Sequence, residues 1–529
     1  MTKLKELERA LARGLISRRE FGKRMSALGL AAAVPGALIS GSALAATPKK
    51  GGHFRLGLGH GSTSDSLDPA TTLDTYMQTV GNGLRNNLTE VNPDNELIPE
   101  LAEGWEASPD AREWRFKLRK GVEFHNGKSL DSADVVASIQ HHRGEDSKSA
   151  AKAILEPLVE VKADGKDTVV FTLKEGNADF PYIMSDYHIA IMPAKDGKAE
   201  WKSGTGTGAF ILESYEPGVR TTLKRNPNYW KQGRGHFDSV EVIVIGDVAA
   251  RTNALTTGEI DAMDRVDIKT LHLLKRNKNI NIIESSGNAH YTFAMLTDIA
   301  PFDNNHVRLA LKHGLDRKTL LQTILRGHGY LGNDHPIGRA NRYLAEDLPQ
   351  RQLDPDKAKF HLKKAGLTKL TVDLSAADAA FAGAVDAAVL YREHAAKAGI
   401  EINVVREPND GYWSNVWLKK PWSAVYWGGR ATEDWMFSIA YAEDAAWNDS
   451  HWKHERFNKL LVLARAELDE TKRREMYREM QLLVRDEGGV VVPLFNNYVE
   501  AANEKVGHGK VAGNWSMDGI RVLERWWLV

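Results

Sequence analysis

The chain alternates between two hydrophobic periods. His53 to Leu58 runs polar, apolar, polar, apolar, as a half-buried strand does, and leaves through a Gly/Ser-rich loop, 59–66. Trp114 to Arg119 alternates in the same way, breaks at Gly121 and resumes from Val122 to Phe124. Further strand signals fall at Val169–Leu173, Ala209–Leu212, Thr221–Leu223 and Val240–Ile245. The 3.6 period replaces them in places. Asp131 to His141 opens with acidic and hydroxyl residues and reads as a helix, and Val307, Ala310 and Leu311 share one helical face. Asp316 is placed to cap a second helix with Leu320, Leu321 and Ile324 inward. Met476, Met480, Leu483 and Val484 line a late helix ahead of the buried strand Val490–Val492. The mixture, without a repeat period, predicts an α/β or α+β protein, and no Pro- or Ser-rich tether separates its domains.

Its 529 residues are enough for several domains, and hydrophobic and charged fractions of 42% and 26% are those of an ordinary globular protein. Lys+Arg and Asp+Glu are both 70, so the basic surplus of a general nucleic-acid binder is missing, and no nucleic-acid partner is expected. Without cysteine, thiolate metal sites and cysteine nucleophiles are excluded.

The first 45 residues read as an export signal. Arg18-Arg19 with Phe21 precede an Ala/Leu/Gly-rich stretch from Met25 to Ile39 and then Ala43-Leu44-Ala45. Paired arginines in that order resemble the twin-arginine signal, which addresses a folded protein to the periplasm. Cleavage after Ala45 leaves a mildly acidic chain, a net of about −5.

Enzymatic motifs find little support. Gly204 to Gly208 lacks the Lys-Ser/Thr of a phosphate loop and reads as a turn before a strand. The pairs His141/His142 and His451/His454 have no carboxylates at a metal-ligand spacing, and no Gly-x-Ser-x-Gly occurs. Neither a metal nor another cofactor is expected. The tryptophans say more: seven of 14 (Trp413, Trp417, Trp422, Trp427, Trp435, Trp447 and Trp452) fall within 40 residues. Any one of them suits a core equally well, but together they suit a pocket that grips by stacking. Among them lies Gly428-Gly429-Arg430-Ala431-Thr432-Glu433-Asp434. There two glycines permit close approach, Arg430 can fork onto a carboxylate, and Glu433 or Asp434 can accept from an amine or hydroxyl.

Three stretches together resemble the family 5 solute-binding proteins of ABC importers, the peptide, nickel and opine receptors. They are LIPELAEGW from Leu97 with LRKGVEFHNG from Leu118 and Ser132-Ala133-Asp134-Val135; Gly206–Phe210 with Pro217-Gly218 and Arg225–Trp230; and Pro301-Phe302-Asp303 with Val307–Ala310 and Leu315-Asp316-Arg317. At Asp110-Ala111 the family usually has Asp-Gly. The resemblance implies a two-lobed periplasmic binding protein fold with an extra subdomain inserted in lobe I. Lobe I would hold 46–85, 200–300 and 496–529, the insert 86–199 and lobe II 301–495. It implies a monomer, not an enzyme, that closes on a small-molecule solute and delivers it to an ABC permease in the inner membrane.

Peptide receptors of the family carry Trp-x-x-Asp, whose carboxylate pairs with the peptide amine; here Trp427 is followed, after Gly428 and Gly429, by Arg430. The expected solute is therefore carboxylate-bearing, an opine-like amino acid conjugate or a short peptide held in another register. Trp427, Trp413 and Trp435 would wall it, with Gly428 and Gly429 beside it. Tyr291, Ser62, Ser64 and Asp65 are further candidates by position. The alternative is a secreted hydrolase acting on a sugar or amide.

Overall fold

The computed structural model describes residues 48–144 and 147–529. The export signal lies outside the described residues. Eleven strands form the main sheet: β1 (His53–Leu58), β2 (Phe210–Glu216), β3 (Arg220–Arg225), β4 (Ser239–Val244), β5 (Ala262–Met263), β6 (Ile280–Met295), β7 (Gly329–Leu331), β8 (Leu370–Ala376), β9 (Ile400–Arg406), β10 (Trp422–Trp427) and β11 (Val490–Asn503). Their order is β2-β3-β4-β1-β5-β11-β6-β10-β8-β9, with β7 joining β11.

β6 and β11 run the length of the molecule as one antiparallel pair, from Ile280↔Asn503 to Ala294↔Val490. The ladder is interrupted between Ser286 and His290, dividing the sheet into a first lobe, which ends on β1–β5, and a second, which holds β7–β10.

Each lobe has its own core. Phe54, Leu56 and Leu58, the apolar half of the β1 alternation, pack on Tyr76, Val80, Leu84 and Trp526 in the first. Helix α1 (Thr75–Leu84) supplies three of these, its start fixed by the Asp74 carboxylate accepting from the Met77 amide at 3.0 Å. In the second lobe β10 is buried on both faces. Trp422 and Ala424 pack beneath one side of the sheet, Val425 and Trp427 on the other, which accounts for its unbroken apolar run.

The helices read from sequence form where their caps put them. α2 (Ser132–His141) begins with a reciprocal capping box between Asp131 and Asp134. α3 (Asn305–His313) is followed by α4 (Arg317–Ile324), which Asp316 caps through the Lys318 and Thr319 amides. α5 (Glu433–Ala440) starts at Thr432, whose hydroxyl accepts from the Trp435 amide at 3.2 Å. α6 (Glu455–Ala466) and α7 (Glu470–Glu487) complete this layer, and the Lys312 ammonium, buried, donates to the terminal carbonyls of α7 at Val484, Arg485 and Gly488. The Val122–Phe124 strand signal yields only a single bridge, Glu123↔Ser129. Among the described residues no helix is long and apolar enough to cross a membrane.

A smaller four-stranded sheet, from Ala102–Ala107, Glu113–Leu118, Leu158–Ala163 and Thr168–Leu173, carries a third core between Leu88 and Ile191. Ala111, in its first turn, has φ 54°. The turn thus holds a non-glycine residue in the left-handed region, at a cost of about 1 kcal/mol.

Candidate functional site

The segment between β10 and α5, Gly428 to Thr432, lies where the second lobe meets both the first lobe and the smaller subdomain. Gly429 touches the interrupted part of β6: a side chain there would begin 2.5 Å from the Asn288 Cβ. Its glycine therefore admits the chain's own strand, whereas at Gly428 the nearest atom to a notional Cβ is an Arg430 nitrogen at 3.6 Å.

Arg430 is the centre of this segment. Its Nη1 donates to the carbonyls of Gly428 (3.0 Å) and Gly429 (3.1 Å), and its guanidinium lies 5.8 Å over the Trp435 ring. Among the described residues no carboxylate stands within ion-pairing distance. Burial lowers its pKa, while Tyr187 and Asp186, from the end of the smaller subdomain, act on it in the opposite sense. Its Nε and Nη2 have no hydrogen-bond partner among the described residues.

Three spaces meet at Ala431. The largest, of ≈ 510 Å³, lies between the subdomain (Ile154, Pro157, Tyr182, Ile183) and α5 with its neighbours (Trp435, Ile439, Arg465). A second, of ≈ 30 Å³, is walled by Asn82, Asp186, Tyr187, Trp435, Asn514 and Trp515. The third, of ≈ 10 Å³, reaches Asn288, Arg342 and Glu433. Trp435 separates the first from the second. The first has the size and apolar walls of a small-molecule pocket.

The other expected residues are placed as follows. Asp434 faces the large chamber but is paired with Arg465 Nε at 3.0 Å. Glu433 accepts from the Tyr343 amide at 2.6 Å, and burial raises its pKa. Trp427 does not offer its indole N–H to a guest: it donates to Asp449 at 2.9 Å, and desolvation pushes that carboxyl up to about 6. Its ring adjoins Trp417 and Trp447, and Trp413 forms the outer end of this ladder against Trp417 and Tyr426. Trp422 and Trp452 are core residues. Tyr291 stacks on Phe381 at 4.0 Å within the second lobe, and desolvation raises its hydroxyl to about 12. Ser62, Ser64 and Asp65 bond within their own loop, the Asp65 carboxylate accepting from the Ser62 amide at 2.7 Å. The structure thus places Trp435, Glu433 and Asp434 on the walls of these spaces and Arg430 beside Ala431, where they meet, and keeps Tyr291, Ser62 and Asp65 in other surroundings.

What the sequence reading lacked is the opposite wall. Asp186-Tyr187 and Asn514-Trp515 sit in loops without periodicity, so nothing in their local pattern marks them. Behind Trp515 the backbone is strained: Met517, Asp518 and Ile520 have φ of 53°, 59° and 60°. Asp518 holds this segment by accepting from the Ala512 amide (2.7 Å) and the Trp526 indole (3.1 Å), and Glu500 accepts from the Met517 amide.

Of the described residues, one acidic group has a metal-like arrangement, Glu90, Glu100 and Glu524. Lys231 fills it, its ammonium 2.7, 2.6 and 2.9 Å from the three carboxylates, with Arg521 and Arg525 adding further pairs. This network ties the subdomain to the first lobe and leaves no room among these groups for a cation.

Residues 96–449 match the family described as bacterial extracellular solute-binding proteins, family 5 Middle. The dipeptide-binding protein of Escherichia coli K12 is 26% identical over 454 residues, covering 78% of this chain and 83% of its own. Among solved structures, HbpA2 from Haemophilus parasuis superposes with a TM-score of 0.79 at 22% identity, over 90% of this chain and 100% of that one. AgaA of A. tumefaciens R10, in complex with agropinic acid, gives 0.71 at 22%, over 90% and 99%. These two likenesses show the two-lobed fold.

Proposed function

Because the chain belongs to the family 5 extracellular solute-binding proteins of ABC importers, we propose that it is a periplasmic receptor for a small solute bearing a carboxylate or similar anionic oxygen, captured by closure of the lobes and handed to an inner-membrane permease. The family is one of binding proteins, not enzymes, and the hydrolase alternative has no support. The twin-arginine order at Arg18-Arg19 supports export of the folded chain.

The observation that carries the reading is the guanidinium of Arg430, next to Ala431 where the three spaces meet, which forms no ion pair among the described residues and feels Tyr187 and Asp186 from the facing wall. An ion in poorly screened surroundings attracts an opposite charge strongly, and a planar fork with Nε and Nη2 free matches the two oxygens of a carboxylate. A ligand amine in the same place would meet a like charge at a cost of several kcal/mol, on the order given by an effective dielectric near 20. Relatives include a dipeptide-binding protein and a protein in complex with agropinic acid, both ligands in keeping with an acidic group. The adjoining ≈ 510 Å³ chamber supplies room for the rest of the molecule.

Binding would act by population shift: a solute that touches Arg430 on one lobe and the Trp515 side of the other favours the shut form by contacts the open form lacks. The test is mass spectrometry of solute released from protein purified from the periplasm. The reading expects an acidic group on it; a neutral or purely cationic solute contradicts the reading.

A further inference from the structure

Opposite Arg430, the ≈ 30 Å³ space is lined by acceptors that lack donors. Asp186 uses only Oδ1 within the protein, accepting from the His188 amide (2.9 Å) and from His188 Nδ1 (2.7 Å); its Oδ2 has no hydrogen-bond partner among the described residues. Asn514 Oδ1 is buried and unpartnered. Asn82, whose amide nitrogen donates to the Gln78 carbonyl at 3.2 Å, has no donor to its own oxygen among the described residues. Of the three, Asn514 Oδ1 is buried outright, and a buried acceptor left unmatched costs about 1–3 kcal/mol; with the Asp186 and Asn82 oxygens beside it, the space favours a group that only donates.

The size and charge of the space narrow the choice. It holds a group of about the size of a water molecule. An ammonium brings three N–H donors and one positive charge, matching three acceptors of which one is a carboxylate. Arg430, which feels Asp186 from the facing wall, forms no ion pair with it and turns Nη1 to the Gly428 and Gly429 carbonyls, and the other cations nearby do not fill the space. Arg521, on the same wall, is spent on Glu100 (2.8 and 3.0 Å) and Glu524 (3.0 Å). His188 serves Oδ1 alone, its other nitrogen lying 2.9 Å from the Thr72 carbonyl. Asp186 is also held rigidly, because its backbone carbonyl accepts from Asn87 Nδ2 at 2.7 Å and from the Ile189 amide at 2.9 Å.

Resting on the reading of Arg430 as the anion site, we infer that Asp186, Asn82 and Asn514 form an ammonium site on the first-lobe side, so that the solute is a zwitterion held with its carboxylate on the second lobe and its amine opposite. This is the reverse of a carboxylate at position 430 receiving the amine. Trp435 and Tyr187 flank the space between the two charges. A solute lacking either charge leaves one lobe's polar groups unmatched on closure.

The experiment is calorimetric titration of the mature protein with alanine oligomers of one to four residues, each free, N-acetylated or C-amidated. At least one free oligomer should bind, and acetylating it should weaken binding roughly tenfold or more. In Asp186→Asn the free oligomer should lose a similar factor, and acetylation should no longer matter. Asn514→Ala, checked by its melting curve, repeats the comparison if Asp186→Asn does not fold. Acetylated oligomers binding the wild type as tightly as free ones overturn the inference, and so does the absence of binding by every oligomer. The underlying reading is scored separately: a loss on C-amidation that vanishes in Arg430→Gln upholds the anion site even where the ammonium site fails.

Discussion

Asp179 of the smaller subdomain and Arg473 of α7 form a buried ion pair, 2.8 Å apart and each 2% exposed, that bridges the subdomain to the second lobe. Arg342 reaches the same carboxylate at 3.2 Å, and the Ala178 amide donates to the Arg465 carbonyl at 2.7 Å. These bonds close one side of the large chamber and would be broken when the lobes part. Asp179→Asn should therefore favour the open form, because removing one member of such a pair costs on the order of 3–5 kcal/mol. Small-angle scattering of the unliganded variant should show a larger radius of gyration than the wild type at an unchanged far-ultraviolet spectrum. Equal radii would refute the latch.

Glu500, on β11 beneath the strained segment, has a carboxyl that desolvation pushes up to about 8. Below an unfolded value near 4.5 both states hold the proton; above it the unfolded chain releases the proton first. Stability from this group is therefore full at low pH, declines through the interval and is flat above about 8. Glu500→Gln keeps the acceptor for Met517 and cannot ionise. Urea unfolding at about pH 5 and about pH 8.5 should show the variant gaining on the wild type with pH, by up to a few kcal/mol. A gap independent of pH would exclude the carboxyl as the cause.

Lys231→Ala strips the shared cation from Glu90, Glu100 and Glu524 and should destabilise the chain by roughly 3–5 kcal/mol. Millimolar Ca²⁺ should then raise the melting temperature of the variant and not that of the wild type. A rise in both would mean that the ion acts somewhere other than this triad.

Ile439→Trp fills part of the ≈ 510 Å³ chamber from the α5 side, where Ile439 is only half-buried. If the solute extends past Trp435, titration of the released solute should show affinity falling about tenfold with melting temperature unchanged. Unaltered affinity would confine the solute to the far side of Trp435.

The local elements were legible because their causes are local. Asp131 and Asp316 cap the helices that they precede, and the β1 alternation directs Phe54, Leu56 and Leu58 inward. β10 was not, since burial on both faces removes the alternation that marks a strand. In the site, Arg430 stood out against the family's Trp-x-x-Asp. Trp427 misled, because an indole N–H beside a pocket looks available until the fold delivers Asp449 from 22 residues further on. Asp186, Asn514 and Trp515 reach the cleft only through tertiary packing of chain ends far apart in sequence.

The central claim is that Arg430 receives an anion when the lobes close. Calorimetry of the released solute against wild type and Arg430→Ala tests it most directly: the account predicts a loss of roughly 2–5 kcal/mol in binding free energy, and affinity unchanged by the substitution would contradict it.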